Sequence, residues 1–208
     1  GAIAHTAPDL MDAHNHVMKK FGHPTKELVD IKNLAGKGAW MMMQRSFKKE
    51  VTNEKIKKEM TKEFIDYYSK NIANDSRPFE GLFEFLEWAK AKNISMAVCT
   101  NKQERLAVDL LKKLNLFNYF EYIAGSDTFN YNKPDPRHLT DVVEIVGGDL
   151  KKTIMVGDSE VDEMAATNAK LPFILVKDGY TEKTVEQIKH DVLIKDYIDF
   201  DKIISKYL

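Results

Sequence analysis

Cysteine is nearly absent from this sequence of 208 residues, which contains a single one, Cys99. One cysteine cannot form an intramolecular disulfide, so stability must come from a packed core, and a reducing cytoplasm suits such a chain best. Long hydrophobic runs are also missing, and no stretch approaches the ~18 apolar residues of a membrane-spanning helix. We therefore expect a cytoplasmic protein without a membrane partner.

An excess of charge of either sign is missing as well. The 31 basic and 32 acidic residues give a net charge of -1, which offers no basis for binding nucleic acid or an acidic membrane surface. What the chain does have is 43% hydrophobic and 30% charged residues, enough for a real core under a solvated surface. No obvious apolar stripe is visible, so a monomer is the default expectation, and a dimer is possible.

The segment before NDSRP (74–78) contains predicted helices only. Thr6 is placed to cap a helix that starts near Pro8, and a second short helix follows residues 23–25. The segment AWMMMQRSF and residues 53–72 give two more helices. Four helices over roughly seventy residues have the usual scale of a small bundle, so we predict a helical cap domain over residues 7–76.

Strands and helices alternate after Pro78. The predicted strands are 94–99, 122–125, 153–157, 172–176 and 192–194, and the predicted helices are 79–92, 103–114, 136–147, 160–169 and 182–190. Strands that are apolar throughout and alternate with helices predict a parallel sheet covered on both faces. We therefore predict an α/β core domain over residues 77–208, to which residues 1–6 also belong. Ligands then bind at the carboxyl ends of its strands.

Two of these strand ends carry groups that suit a phosphate. The first strand is followed by Thr100 and Asn101, and a hydroxyl with free backbone N–H groups at a helix start forms an anion pocket. Both residues also serve as ordinary helix caps. Lys133 precedes Pro134, which favours an extended backbone and allows the lysine to deliver charge to a phosphoryl group. A surface lysine in a proline turn is the alternative.

A third strand end carries two carboxylates. The segment IMVGDSEVD (154–162) places Asp158 directly after an apolar strand and Asp162 one helical turn later. Two carboxylates on one face suit a hard cation such as Mg²⁺, although glycine, aspartate and serine are also good turn formers. The three features occur in order at successive strand ends of one predicted sheet. Chance is a poor explanation for all three occurring together.

This ordered set resembles the motifs of the haloacid dehalogenase superfamily, and more narrowly its phosphoglycolate phosphatase-like branch with a helical (C1) cap. The similar segments cover nearly the whole chain: TAPDL (6–10), AGKGAWMM (35–42), RPFEGLFEFLEWAKAKNISMAVCTNK (77–102), NKPDP (132–136), GDSEVDEMAA (157–166) and DGY (178–180). The resemblance implies a Rossmannoid parallel sheet with helices on both faces and a small all-helical cap.

The resemblance also implies residue roles. In this family an aspartate attacks the phosphoryl group to form an aspartyl-phosphate, and a second aspartate two residues later acts as acid and base. By resemblance, Thr100, Lys133 and Asp158 are catalytic. Thr100, Asn101 and Lys133 would bind the phosphoryl group, and Asp158 would bind Mg²⁺ with Asp162 as a direct ligand or as its support.

The cap supplies one further candidate. Lys37 lies between Gly36 and Gly38 in the turn that resembles the family's Gly-x-Gly-Ala turn. From there it could contact the substrate in the active site, and an ordinary loop lysine is about as good an interpretation.

The family's first motif, Asp-x-Asp-Gly-Thr-Leu-x-Asp, is incomplete here. Aligned backwards from TAPDL, Gly1 falls on the motif's glycine, Ala2 replaces its threonine and His5 replaces its third aspartate. The nucleophile and the acid/base aspartate would then lie immediately before residue 1, on a strand in the middle of the sheet. We expect a native chain that is longer by about ten to fifteen residues, a strand and its turn, and neighbouring strands with unpaired backbone groups.

These features together predict a Mg²⁺-dependent phosphatase that acts on a small phosphorylated metabolite, with phosphoglycolate favoured. A phosphosugar mutase of the same fold is the first alternative, and Lys37 would then be the clear candidate to hold a second phosphate. A non-catalytic phosphate- or metal-binding protein is the second alternative, and it applies if the upstream aspartates are altered as Ala2 and His5 are.

Overall fold

The computed structural model describes residues 1–47 and 53–208, and its N-terminal part is helical as predicted. A 3₁₀ turn at Leu28–Asp30 precedes the second helix. Residues 48–52, which belong to the predicted cap range 7–76, lie outside the described residues. The cap helices are α1 (Ala7–Lys20), α2 (Ile31–Leu34), α3 (Ala39–Phe47) and α4 (Glu54–Lys70).

The two long cap helices, α1 and α4, form because each presents one apolar face and has suitable ends. Helix α1 has proline in its first turn, Asp9 near its start and Lys19 and Lys20 near its end, which complement the helix dipole. Helix α4 begins at Asn53, whose side chain accepts a hydrogen bond from the backbone N–H of Lys55 at 2.9 Å. The apolar faces of these two helices meet through Leu10, Met11, Val17, Met18, Met60, Phe64 and Tyr68.

Two chain connections join the cap to the rest of the molecule, and they run side by side. Strand β1 (Ala4–His5) pairs antiparallel with β2 (Arg77–Pro78). The buried carboxylate of Asp9 accepts hydrogen bonds from the backbone N–H groups of Asp75 and Ser76, at 3.0 and 2.7 Å for the shorter contacts. This short ladder fixes the base of the cap.

The alternating pattern after Pro78 folds into parallel strands covered by helices, as predicted. The strands are β3 (Ala97–Cys99), β4 (Tyr122–Ala124), β5 (Met155–Gly157), β6 (Phe173–Val176) and β7 (Val192–Ile194). The helices are α5 (Leu82–Ala91), α6 (Glu104–Lys113), α7 (Arg137–Ile145), α8 (Glu160–Asn168) and α9 (Phe200–Ile204). The α/β fold class is therefore confirmed.

The five core strands form two parallel sheets in place of the single predicted sheet. Strand β3 pairs with β4, with Val98 opposite Ile123, and β5 pairs with β6 and β6 with β7. Within the described residues, no strand pairs with the second edge of β3 or of β5. Both edges border a cavity of about 960 Å³ whose lining includes Val98 and Val156.

Two local predictions were wrong, and three short elements were missed. Residues 182–190 do not form a helix, because Thr184 and Gln187 cap each other around one 3₁₀ turn and the buried Ile188 is extended. Helix α9 and the short strands β1 and β2 were not predicted. Thr6 precedes α1 but makes no side-chain capping bond, because its hydroxyl lies 2.7 Å from the hydroxyl of Tyr180.

None of the helices in the described part of the chain is both long and apolar enough to cross a membrane.

Candidate active site

The loop after β3 is held by its own backbone. The N–H of Thr100 donates to the carbonyl of Ala124 at 2.9 Å, which extends the β3–β4 pairing by one residue. The Thr100 hydroxyl accepts a hydrogen bond from the N–H of Lys102 at 3.1 Å. The hydroxyl proton is therefore free to point into the cavity that Thr100 lines.

Asn101 links this loop to the lysine loop. Its side-chain Nδ2 donates to the backbone carbonyl of Lys133 at 2.9 Å, and the Lys133–Pro134 peptide bond is cis. The Oδ1 atom of Asn101 is buried and has no hydrogen-bond partner among the described residues. Asn101 thus joins two of the predicted motifs, and one of its amide hydrogens already serves the chain itself.

Lys133 and Asp162 form a buried ion pair. The distance from Lys133 Nζ to Asp162 Oδ1 is 2.5 Å, and both side chains are less than 10% exposed. Burial opposes the charge of the ammonium, but the adjacent carboxylate outweighs it and raises the pKa of Lys133. Likewise, burial opposes the charge of Asp162, and Lys133 still lowers the pKa of that carboxyl. Both groups are therefore charged at neutral pH.

The second oxygen of Asp162 orders the loop that carries Asp158. Asp162 Oδ2 accepts from the N–H of Asp158 at 3.0 Å, from the N–H of Ser159 at 3.2 Å and from the Ser159 hydroxyl at 3.0 Å. The carboxylate approaches the strand end closely because residue 157 is glycine: a Cβ at Gly157 would lie 2.4 Å from the Asp162 Cβ. Both oxygens of Asp162 are thus occupied by the protein.

Asp158 faces the cavity with one oxygen bound to the chain. Its Oδ2 accepts from the N–H of Tyr180 at 3.0 Å and lies 3.1 Å from the amino group of Gly1. Gly179 makes this approach possible, because a Cβ there would lie 2.0 Å from the carbonyl oxygen of Asp158.

The cap turn at residues 35–38 reaches these loops from the other side. A Cβ at Gly36 would lie 2.8 Å from the carbonyl oxygen of Tyr180, so this turn touches the core directly. Lys37 Nζ lies 3.5 Å from Oε1 of Glu160 at the start of α8. The cap lysine therefore lies at the cap–core boundary, and its charge is partly balanced by a core carboxylate.

The structure brings all six predicted site residues to one cavity, which is lined by Lys37, Thr100, Asn101, Lys133, Asp158 and Asp162. Sequence reasoning missed three participants. Tyr180 orients Asp158, Glu160 pairs with Lys37, and Lys102 lines the same cavity. The only sequence signal for Tyr180 was the DGY segment, and Lys102 was visible only as the last residue of TNK.

The acidic residues fit a cation site in which the protein supplies only some of the ligands of the ion. Within residues 1–47 and 53–208, no group of three or more His, Cys, Asp and Glu side chains is placed to hold a metal ion. Mg²⁺ commonly keeps several waters and binds through one or two carboxylates, so a single aspartate is a sufficient anchor. Asp158 lines the cavity and is the better placed carboxylate to hold the ion, whereas Lys133 and the loop backbone occupy both oxygens of Asp162.

Comparisons with known proteins agree with this geometry. Residues 1–176 match the family model described as haloacid dehalogenase-like hydrolase. A phosphoglycolate phosphatase from Agrobacterium fabrum is 39% identical over 213 residues, covering 99% of this chain and 91% of that protein. A phosphoglycolate phosphatase from Caulobacter vibrioides is 35% identical over 97% of this chain and 86% of that protein.

Solved structures show the same fold. A crystal structure described as a predicted phosphoglycolate phosphatase from Haemophilus somnus superposes with a TM-score of 0.91 at 26% identity, over 97% of this chain and 92% of that chain. A β-phosphoglucomutase from Clostridium difficile has a TM-score of 0.80 at 21% identity, which is evidence for the fold alone. The chain belongs to the haloacid dehalogenase-like hydrolases, in the branch of phosphoglycolate phosphatase-like phosphoric monoester hydrolases.

Proposed function

We propose that the protein is a Mg²⁺-dependent phosphatase that hydrolyses a small cytoplasmic phosphate monoester, with phosphoglycolate or a close analogue as substrate. The observation that carries this proposal is the meeting of Thr100, Lys133 and Asp158 at one cavity under the cap turn. Phosphoryl transfer depends mainly on positioning and on neutralising charge. A hydroxyl, a fixed ammonium and a cation-binding carboxylate at one point are the groups that this chemistry needs.

The described residues have distinct roles in this proposal. The Thr100 hydroxyl donates to a phosphoryl oxygen, because its own lone pair already serves the N–H of Lys102. Lys133, held in place by Asp162, neutralises charge on the nucleophile and the phosphoryl group. Asp158, which lines the cavity with Thr100 and Lys133, would hold Mg²⁺ there, and the bound ion would supply further neutralisation of the phosphoryl charge.

We further propose that the nucleophile belongs to a strand that precedes Gly1 in the native chain. The free edges of β3 and β5 support this position, because one strand between them would pair with both and complete the sheet. Gly1 lies next to Asp158, so a residue just upstream of it would lie beside the cation site. The intact mass of the natural protein tests this point: a native chain that begins at Gly1 would exclude it.

The proposed reaction has two steps. An aspartate oxygen attacks phosphorus, the ester bond breaks, and the second aspartate protonates the departing alcohol to leave an acyl phosphate. That aspartate next removes a proton from water, which attacks phosphorus, releases inorganic phosphate and restores the carboxylate. The cap turn would exclude bulk water during both steps and contact the leaving group through Lys37.

The test is phosphate release by the full-length protein from a panel of phosphate monoesters, with Mg²⁺ and with a chelator. We expect metal-dependent turnover that falls by about 100-fold or more in Asp158→Asn, as for the loss of one electrostatic group at a transition state. Asp178→Asn is the matched control, because Asp178 is exposed in the same region and asparagine tolerates its positive φ.

Turnover that is independent of metal, or equal in Asp158→Asn and wild type, would contradict the proposal. No turnover of any ester by a folded full-length protein would favour the mutase or the binding protein. Phosphate transfer between sugar phosphates would then separate these two.

A further inference from the structure

Lys102 is a half-buried cation for which neither the described residues nor the proposed mechanism supplies a counter-charge. It follows Asn101 at the end of the TNK segment and lines the same cavity as Thr100 and Asp158. Within residues 1–47 and 53–208, no carboxylate oxygen lies within ion-pair distance of its Nζ. Burial lowers the pKa of Lys102 to about 7, which shows how poorly the surroundings support its charge.

The partner that Lys102 does have comes from the cap. Its Nζ donates to the hydroxyl of Tyr68 at 2.9 Å and lies 4.3 Å from the centre of the Tyr68 ring. Tyr68 is 1% exposed on α4 and stacks on Phe64 with a ring-centre distance of 5.8 Å. A fully packed cap residue therefore holds the ammonium in one place, at the boundary between cap and core.

The other lysines of the cavity differ in this respect. Lys133 is neutralised by Asp162 at 2.5 Å, and Lys37 lies 3.5 Å from Glu160. Each of these two ammonium groups is therefore balanced by a carboxylate of the protein before a phosphoryl group binds. Among the described residues the Lys102 ammonium has no such carboxylate, so a ligand anion beside it would supply the missing counter-charge.

Lys102 also lies on the side of the cavity where the reaction is proposed to occur. Its backbone N–H donates to the Thr100 hydroxyl at 3.1 Å, and the neighbouring Asn101 donates to the backbone carbonyl of Lys133 at 2.9 Å. A ligand whose phosphoryl group is bound by Thr100 and Lys133 would therefore have its remaining part near Lys102 and the cap. A single ammonium matches a single negative charge, as on a carboxylate, better than a second phosphate.

We propose that Lys102, held by Tyr68, binds the carboxylate of the substrate and so selects phosphate monoesters that carry a carboxylate near the ester. This proposal rests on the proposed phosphatase function and specifies its substrate class. Lys102 acts as a specificity residue that contacts the substrate, and Tyr68 is a positioning residue that acts through Lys102. The cap thereby contributes to substrate choice through Tyr68, which positions Lys102 and carries no charge itself.

The test compares two esters of similar size, 2-phosphoglycolate with its carboxylate and 2-hydroxyethyl phosphate with a neutral hydroxyl. We expect full-length wild type to have the higher kcat/KM for phosphoglycolate. In Lys102→Met the ratio of the two kcat/KM values should fall by about 30-fold or more, the usual effect of losing a hydrogen bond to a charged group. The loss should appear mainly as a higher KM for phosphoglycolate.

Two further variants keep the experiment decisive. Tyr68→Phe retains the ring but not the hydroxyl, and it should lower the same ratio by a smaller factor, about 3- to 10-fold for one hydrogen bond. Lys112→Met is the matched control, because Lys112 is exposed and lies over the Phe117 ring at 4.9 Å, outside the cavity. Its ratio should stay at the wild-type value.

The failures are distinguishable. Hydrolysis of neither ester by wild type would overturn the proposed function. Hydrolysis of both esters with no preference for phosphoglycolate would overturn only the role of Lys102. An equal loss on both esters in Lys102→Met and Tyr68→Phe would also overturn it, since a merely structural residue would act on both substrates alike.

Discussion

Two lysines line one cavity, one among the loops of the core (the core wall) and one where Tyr68 of the cap packs on the core (the cap wall), and the protein treats them differently. On the core wall, Lys133 is paired with Asp162, and burial is overcome so that its pKa is raised. On the cap wall, the Lys102 ammonium contacts the hydroxyl and ring of Tyr68, and burial lowers its pKa to about 7. Lys133 is thus held charged by a carboxylate of the protein, whereas Lys102 has no carboxylate partner among the described residues and is proposed to gain one from the substrate.

The difference follows from which parts of the chain build each wall. Lys133, Asp158 and Asp162 all come from loops of the α/β core, which share one sheet edge and can be fixed by short hydrogen bonds. Lys102 depends on α4 of the cap, which reaches the core through the short ladder of β1 and β2. The core wall is therefore fixed by contacts within the core, whereas the position of the cap wall depends on how the cap packs against the core.

The largest expected effect is on the core wall. Lys133→Met leaves the buried carboxylate of Asp162 without its partner, so the free energy of unfolding should fall by about 3–5 kcal/mol. Urea unfolding followed by circular dichroism measures this. The double variant Lys133→Met/Asp162→Asn should recover part of the loss, because no uncompensated charge remains. If Lys133→Met were as stable as wild type, the ion pair on the core wall would contribute no net stability, and the contrast with the cap wall would fail.

The next effect probes how tightly the core wall is packed behind Asp158. Gly179→Ala places a methyl group against the Asp158 backbone, so we expect a loss of about 1–3 kcal/mol in the free energy of unfolding together with reduced turnover. Gly147→Ala is the control, because a Cβ there meets no atom within 4 Å and only its positive φ is strained. Unchanged turnover in Gly179→Ala would contradict the tight placement of Asp158.

The third prediction concerns pH and the cap wall. An unfolded lysine has a pKa near 10.4, so between about pH 7 and pH 10 the unfolded chain binds the Lys102 proton more tightly than the folded one. Stability from this residue therefore rises with pH across that window and is lowest below pH 7. Lys102→Met should be at least as stable as wild type at pH 6.5.

Its advantage should shrink towards pH 9, by less than about 1.4 kcal/mol per pH unit because water reaches part of the side chain. Chemical unfolding of both proteins at pH 6.5, 7.5 and 9 measures this difference, and contributions from all other titrating groups largely cancel in it. A difference that does not change with pH would mean that Lys102 is not desolvated.

The smallest effect is expected at the boundary of the two walls. Lys37→Met removes a partly exposed ion pair with Glu160, which should change the free energy of unfolding by no more than about 1 kcal/mol. The same variant tests the proposed substrate contact of the cap turn through KM. A stability loss as large as that of Lys133→Met would place Lys37 among the structural lysines.

Much of the core wall could be predicted from the sequence. Apolar runs that alternate with helical segments require a parallel sheet, and the carboxyl ends of its strands meet at one edge. That rule alone placed Thr100, Lys133 and Asp158 together, and the structure shows them at one cavity. Weak local patterns were predicted less well, as in residues 182–190, where one capped 3₁₀ turn forms in place of a helix.

The cap wall could not be predicted, because its contacts join residues far apart in the chain. Lys102 and Tyr68 are separated by 34 positions, and nothing in either segment indicates that one packs on the other. The same holds for Asp158 and Tyr180, and for Lys37 and Glu160. Each contact depends on the angle between cap and core and on the close approach allowed by Gly36 and Gly179.

The fold class, the helical cap and the order of the motifs could be predicted from the amino-acid sequence, because periodicity and short turn signals act over a few neighbouring residues. Which lysine has a carboxylate partner in the protein became visible in the folded structure alone. The physical reason is that desolvation and Coulomb energies depend on the distance to charges on other elements, as with Asp162 beside Lys133 and no carboxylate beside Lys102 within the described residues.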